Sequence, residues 1–230
     1  MGESDEPVEK WAPPLPPQAK LGEQLRPTVL SVLVLTVLTG CAFPLLLFVI
    51  ARPLFPRQAR GSLIRREGVV IGSELIGQEF TKPEYFQPRP SAAGGGYDGT
   101  ASSGTNLGPN NPGLVNGSGN FASIRQLAGA YREHNGLGPD AAIPIDAVTR
   151  SASGLDPHIS LANALLQVPR VARARGLSEE VVRRLVTDHL AGRQLRFLGE
   201  PRVSVLELNL ALDQVSGGHA PSARPEAPGF

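Results

Sequence analysis

Asp156, His158 and Ser160 stand within five residues, in the run Asp156-Pro157-His158-Ile159-Ser160, and together they are the side chains of a hydrolytic triad. Triad members usually converge from distant parts of a chain, and the same run also reads as a turn leading into a helix that Ser160 caps. A second group is Ser102-Ser103-Gly104-Thr105-Asn106, following Ala101. Its backbone amides could cup a phosphate, and the same residues could equally close a tight structural loop. The four histidines, His134, His158, His189 and His219, are scattered without metal-ligand spacing. The only lysines are Lys10, Lys20 and Lys82, and none completes a phosphate-binding loop. There is no nucleophile elbow. No catalytic residue and no metal ligand is therefore assigned, and no tightly bound cofactor is expected.

The element that positions everything else is the stretch Pro27–Ala51, bracketed by Arg26 and Arg52. It has no charged residue, and its 25 residues exceed the roughly 20 that a helix needs to cross a bilayer core. A lone segment can satisfy its backbone in hydrocarbon only as a helix, so a single transmembrane helix over 27–51 is expected. Pro44 removes a backbone donor and predicts a kink near Gly40, and Gly40 and Pro44 mark a place where a partner helix could pack. Leu38-Thr39-Gly40-Cys41 also fits a lipoprotein signal, but the chain stays apolar long past Cys41.

Around this anchor the chain divides into five parts. Residues 1–26 carry five acidic residues and a Pro-rich run at Trp11–Pro17, which predicts a disordered tail. Residues 52–66 hold five arginines and suit lipid phosphates. Residues 67–215 are long enough for one globular domain, and 216–230 read as a second disordered tail. The net charge of +1 gives no basic excess for nucleic acid, and the single cysteine, Cys41, excludes an internal disulfide.

Within 67–215, Val69–Gly72 and Leu75–Phe80 predict extended pieces. Helical spacing recurs from Phe121 to Tyr131, from Leu161 after Ser160, and from Glu179 after Ser178, with Pro169 expected to break or kink the second helix. Val203–Leu212 alternates and predicts a strand beside the early extended pieces. The fold class is α+β on a single N-terminal transmembrane helix. The Gly- and Pro-rich stretch from Gln78 to Pro112 is too long for an idle connection, and its spread of aromatics suggests an ordered loop facing a partner. Gln78, Phe80, Tyr85, Phe86, Arg89, Asn106 and Asn111 are the expected interface residues. An anchored cell-surface hydrolase or wall-binding module is the alternative, with His158 or His189 meeting a nucleophile in space.

Several ordered blocks resemble the C subunit of the Kdp potassium-transporting P-type ATPase. They are Thr39-Gly40 with Phe43-Pro44-Leu45, Gln58–Ile64, Gly72–Phe80, Pro83-Glu84-Tyr85-Phe86, Arg89-Pro90-Ser91-Ala92, Asn106–Pro109, Ser153–Ser160, Ala174–Leu177, Leu198–Val203 and Leu208–Asp213. Arg60 and Ser204 stand where that family usually has Asn, and Ser103 and Arg196 where it commonly has Gly. The phosphate-accepting Asp-Lys-Thr-Gly-Thr of P-type ATPases is absent.

The resemblance implies a non-catalytic accessory subunit in the cell membrane, required for assembly and activity of a complex that imports potassium. Its partners would be a channel-like A subunit, an ATP-hydrolysing B subunit, a small single-helix subunit and membrane lipid. It also implies a reading as a catalytic chaperone that raises ATP affinity, with Ser102, Ser103, Gly104, Thr105 and Asn106 as the nucleotide-binding ribbon. ATP would then belong to the complex, with potassium as the transported ion. The globular domain is expected outside the cytoplasm.

Overall fold

The structure, a computed structural model, describes residues 20–119 and 121–215. The expected tails before residue 20 and after residue 215 lie outside the described residues. The chain forms two compact units, one ending at Ala59 and one starting at Arg60.

The first unit is a rod: α1 (Leu21–Val37), a π-helical turn (Leu38–Ala42) and α2 (Phe43–Leu54). Together they make one 34-residue helix, Leu21–Leu54, long and apolar enough to cross a membrane. The helix starts before Pro27, so residues 21–26, expected to belong to the disordered tail, are helical instead. The missing N–H of Pro44 is absorbed by wider winding: Phe43 N–H reaches back five residues to the Leu38 carbonyl. Thr39 Oγ1 donates to the Leu35 carbonyl at 2.7 Å and so is satisfied within its own helix. Pro53 does not stop α2; the stop comes at Phe55, at φ −130° and ψ 59°. Phe55 precedes Pro56, whose ring drives the preceding residue out of the helical region.

The second unit is α+β. It opens with an antiparallel hairpin, β1 (Leu63–Arg66) and β2 (Val69–Ser73), so part of the basic segment is strand. Glu67 and Gly68 turn the hairpin at φ 51° and 82°, the left-handed pair that a two-residue turn requires. Leu75–Phe80, expected to be extended, forms a turn and irregular chain. A short α3 (Gly113–Asn116) leads to α4 (Ile124–Asn135), where Ser123 and Gln126 form a capping box and Gly136 closes the helix in the left-handed region.

β3 (His158–Ser160) then runs into α5 (Leu161–Arg175), with the Ser160 hydroxyl accepting the Asn163 amide. Pro169 lies inside α5 without dividing it. Ser178 caps α6 (Glu179–Asp188) in the same way. β4 (Leu190–Ala191) and β5 (Arg202–Ser204) complete a three-stranded antiparallel sheet in the order β3-β5-β4.

The strand expected over Val203–Leu212 is corrected: only Arg202–Ser204 is strand, and it pairs with β3 and β4 rather than with the early hairpin. The remainder is α7 (Val205–Val215). Val205, Leu208 and Leu212 follow one another at steps of three and four, and all are buried, so the helical period prevails over the apparent alternation. The core joins α5, α6 and α7 to β3 and β5 through Ile159, Val168, Val171, Val182, Val186, Val203, Leu208 and Leu212. A smaller cluster centres on Tyr131 of α4 with Ala147 and Val148.

Candidate partner-binding surface

The stretch Pro83–Arg89 has no regular secondary structure, yet at Phe86 it enters the domain core. Buried backbone polar groups need partners, and here side chains supply them. Asn209 of α7 brackets Phe86, with Oδ1 accepting the Phe86 amide at 2.8 Å and Nδ2 donating to its carbonyl at 2.9 Å. Gln167 of α5 does the same for Gln87, at 2.8 and 3.1 Å. Arg170 donates to the carbonyls of Pro83 and Tyr85, and Arg175 to that of Glu84 at 2.6 Å.

These grips form one network. Asn163, Gln167 and Arg170 recur at steps of four and three, so they share a face of α5. Asn163 links Gln167 to Asp146 and takes the Tyr131 hydroxyl at 2.9 Å. Arg170 also reaches Asn135 at 2.9 Å and Gln167 at 2.7 Å. Burial lowers the Arg170 pKa to about 10, which leaves it cationic at neutral pH. At the other end Arg175 pairs with Asp213 at 2.9 Å while its guanidinium lies 4.7 Å from the Tyr85 ring centre. Burial raises the Tyr85 hydroxyl, and the Asp213 carboxylate raises it further.

Downstream, Arg89 binds Asp156 at 2.9 Å and the Thr149 carbonyl at 3.3 Å. Burial alone would raise the Asp156 carboxyl, but hydrogen bonds from His158 and Arg89 outweigh it and bring the pKa down to about 2. Tyr97 donates to the Arg89 carbonyl, and Ser91 ties Gly154 to the turn at Ala93 and Tyr97. The ribbon Ser102–Asn106 lies along Ser151–Gly154. Ser103 N–H and Ser102 Oγ both donate to the Ser153 carbonyl at 3.0 Å. A Cβ on Gly104 would come within 2.7 Å of the Ala152 carbonyl, so only glycine permits this approach. The Ser103 amide thus has an internal acceptor, while Ser102 and Asn106 are exposed.

The Asp156-His158-Ser160 run does not close a triad. His158 Nδ1 lies 3.4 Å from Asp156, but the Ser160 hydroxyl is bound to Asp146 at 2.8 Å and caps α5. Among the described residues no group of three or more His, Cys, Asp and Glu side chains could hold a metal.

A family profile described as "KdpC: K+-transporting ATPase, c chain" matches residues 25–214. The chain belongs to the KdpC family. It is 52% identical over 192 residues to a protein of Mycobacterium tuberculosis (strain ATCC 25618 / H37Rv) named "Potassium-transporting ATPase KdpC subunit", covering 84% of this chain and 98% of that protein. A Sorangium cellulosum protein of the same name is 54% identical over 190 residues, covering 82% of this chain and 96% of that protein. One from Rhodopseudomonas palustris (strain BisB18) is 48% identical over 203 residues, covering 83% and 98%. A KdpC chain is a subunit of the potassium-transporting ATPase rather than an enzyme by itself, and catalysis lies in other subunits.

The expected interface residues differ in exposure and in bonding. Phe86 has its ring fully buried in the core formed with α5, α6 and α7. Phe80 and Tyr85 pack ring to ring with centroids 5.4 Å apart, both half-buried. Gln78 is half-buried and donates to the Ile71 carbonyl at 3.1 Å. Arg89 is turned to Asp156. Asn106, at φ 54°, and Asn111, whose Oδ1 accepts the Gly113 amide at 2.8 Å, are exposed. Beyond the backbone of its own helix, a Cβ on Gly40 would meet nothing within 4 Å. The residues missed at the sequence level are the backbone grips, Asn163, Gln167, Arg170 and Asn209. Their signal was available as polar residues at helical spacing on an otherwise apolar helix face.

Proposed function

We propose that this chain is the non-catalytic accessory subunit of a high-affinity, ATP-driven potassium uptake complex, anchored by one membrane helix. It holds a channel-like subunit, an ATP-hydrolysing subunit and a small single-helix subunit in an active assembly. The observation that carries the reading is the fastened loop from Gln78 to Pro112. A stretch rich in Gly and Pro would ordinarily fluctuate, and here side chains of α5 and α7 fix its backbone at Glu84, Tyr85, Phe86 and Gln87. Preordering lowers the entropic cost of docking, and the exposed part around Lys82, Asn106 and Asn111 is what a partner would meet.

An effect on ATP turnover then follows through coupling between subunits. The internal bonds of the Ser102–Asn106 ribbon to Ser153, together with the close packing of Gly104, favour a structural ribbon over a nucleotide cradle. The test is affinity purification of the tagged chain from membranes under potassium limitation. Recovery of the other subunits with potassium-stimulated ATPase activity is expected, together with loss of growth at low potassium when the chain is deleted. Recovery of the chain alone, with growth unaffected by its deletion, would refute it. Direct ATP binding by the purified chain would favour the ATP-affinity reading instead.

A further inference from the structure

The β1–β2 hairpin is the first sheet element to follow the membrane span. Its first residue, Leu63, comes nine residues after Leu54, the last of α2. An extended chain covers at most about 3.3–3.6 Å per residue, so chain length alone keeps the start of β1 within about 30 Å of the end of the span. The base of the hairpin is fixed to its own unit: Ser73 Oγ donates to the Gly61 carbonyl at 2.7 Å, and a Cβ on Gly72 would come within 2.8 Å of the Leu206 side chain of α7. The far end is free of the core. Leu63, Val69 and Val70 are exposed, Val69 to 65%, and none belongs to either core cluster. Two strands alone are marginally stable in water, so this end gains from a surface to lie on.

Charge and register say what that surface is. Arg60, Arg65 and Arg66 make no ion pair among the described residues, and Glu67 in the turn is the one acidic residue between 60 and 70. Arg65 donates to the Gly68 carbonyl at 3.3 Å, which leaves most of its donors available. Directly opposed residues of an antiparallel pair share a face, and here Arg65 opposes Val70 and Arg66 opposes Val69. Each face of the tip therefore carries one short apolar side chain beside one long cation. That pairing suits a bilayer interface, where the valine meets the acyl boundary while the guanidinium stays among phosphates. Because the pairing occurs on both faces, it needs no pocket of fixed shape, and a fluid phosphate layer supplies none. The span also makes this contact intramolecular, so a weak attraction is enough.

We propose that the β1–β2 hairpin docks tip-first on the bilayer that holds α1 and α2, with Arg65 and Arg66 on the phosphates of anionic phospholipids and Val69 and Val70 at the acyl boundary. The proposal goes beyond the accessory-subunit reading and rests on the membrane anchor alone.

The test uses the full-length chain with Cys41→Ser, reconstituted in phosphatidylcholine vesicles with or without phosphatidylglycerol. One nitroxide is attached at Val69→Cys, or at Asp140→Cys as an exposed reference that also controls for the label's own affinity for lipid. Collisions with oxygen, which concentrates in lipid, and with a water-soluble nickel chelate report the depth of each label. Position 69 is expected to favour oxygen when phosphatidylglycerol is present, and position 140 to favour nickel in both vesicles. Arg65→Gln with Arg66→Gln should lower the ratio of docked to undocked chains about fivefold per arginine, whereas Arg65→Lys with Arg66→Lys should keep it. Added salt should weaken docking of the labelled parent, a check that needs no arginine variant to fold. A label at position 69 as accessible to nickel as the one at 140 overturns the proposal, and so does docking that ignores phosphatidylglycerol and salt. The same label in the chain assembled with the other ATPase subunits completes the test. Shielding from both reagents there would mean that a subunit covers the hairpin, and would overturn lipid docking without touching the accessory-subunit reading.

Discussion

The carboxamide of Asn209 binds both backbone polar groups of Phe86, as a neighbouring strand would, at 2.8 and 2.9 Å. An irregular segment can therefore cross the core without leaving an amide or carbonyl of Phe86 unpaired. Asn209→Ala would strand both groups in a buried setting, where each unsatisfied group costs about 1–3 kcal/mol. A destabilisation of about 2–5 kcal/mol is expected, and chemical unfolding of the full-length chain in detergent measures it. Asn209→Asp keeps an acceptor for the Phe86 amide but loses the donor to its carbonyl, so it should fall between the parent and Asn209→Ala. A loss below about 1 kcal/mol for Asn209→Ala would mean that water replaces the bracket.

The Asp156 carboxyl links the loop to β3 through Arg89 and His158. Its folded pKa, about 2, lies below the ordinary 3.8. A depressed carboxyl contributes stability above its unfolded pKa, and that contribution is lost as pH falls through the folded value. The parent is therefore expected to lose stability between about pH 4 and pH 2 from this group, and Asp156→Asn to show a shallower loss there. Parallel unfolding curves for the two chains across that window would remove Asp156 from the acid response.

The anchor, the α+β class and the helix caps were legible because they depend on local chemistry. Ser160 and Ser178 cap the helices that follow them, and Gly136 and Gly176 close helices in the left-handed region. Val203–Leu212 misled because a leucine-rich run with short-range alternation satisfies both periods, and burial against α6 and β5 decides between them. The burial of Phe86 was not legible for a different reason. An aromatic in a Gly- and Pro-rich loop resembles an interface anchor until Asn209, 123 residues away, is seen to bind its backbone. Spacing along the chain carries no trace of that contact.

Ser204 immediately precedes α7, where a hydroxyl commonly accepts an amide of the first helical turn. Its Oγ is nonetheless buried without a partner. The usual loss on replacing a capping serine by alanine, about 0.5–2 kcal/mol, should therefore be absent. Ser204→Ala is expected to raise stability by up to about 1 kcal/mol, because an unpaired hydroxyl no longer has to leave water. For a unit of this size that is an increase of about 2–4 °C in the unfolding midpoint. A clear drop in the midpoint would reveal a cap bond or a buried water at this hydroxyl. Ser204→Asn tests whether a longer side chain finds the missing partner.

The globular domain is expected outside the cytoplasm, where it would steady the potassium entrance of the channel-like subunit. Charge counting opposes this arrangement. Lys10, Lys20 and Arg26 precede the span, whereas Arg52, Arg57, Arg60, Arg65 and Arg66 follow it, and the flank richer in basic residues tends to stay inside. The rule weakens for a long following domain, which translocates largely regardless of charge, and helix packing in a complex can fix the orientation of a single span. Two of the arginines also sit in β1 of the folded unit rather than in a free flank. Alkaline phosphatase fused to the C-terminus of the full-length chain is active only outside the cytoplasm, and activity is the expected result, with a cytoplasmic fluorescent reporter dark at the same position. The opposite pattern would put the domain beside the ATP-hydrolysing machinery. Ser102 and Asn106, the exposed ends of the ribbon, would then be the residues to test for contact with nucleotide.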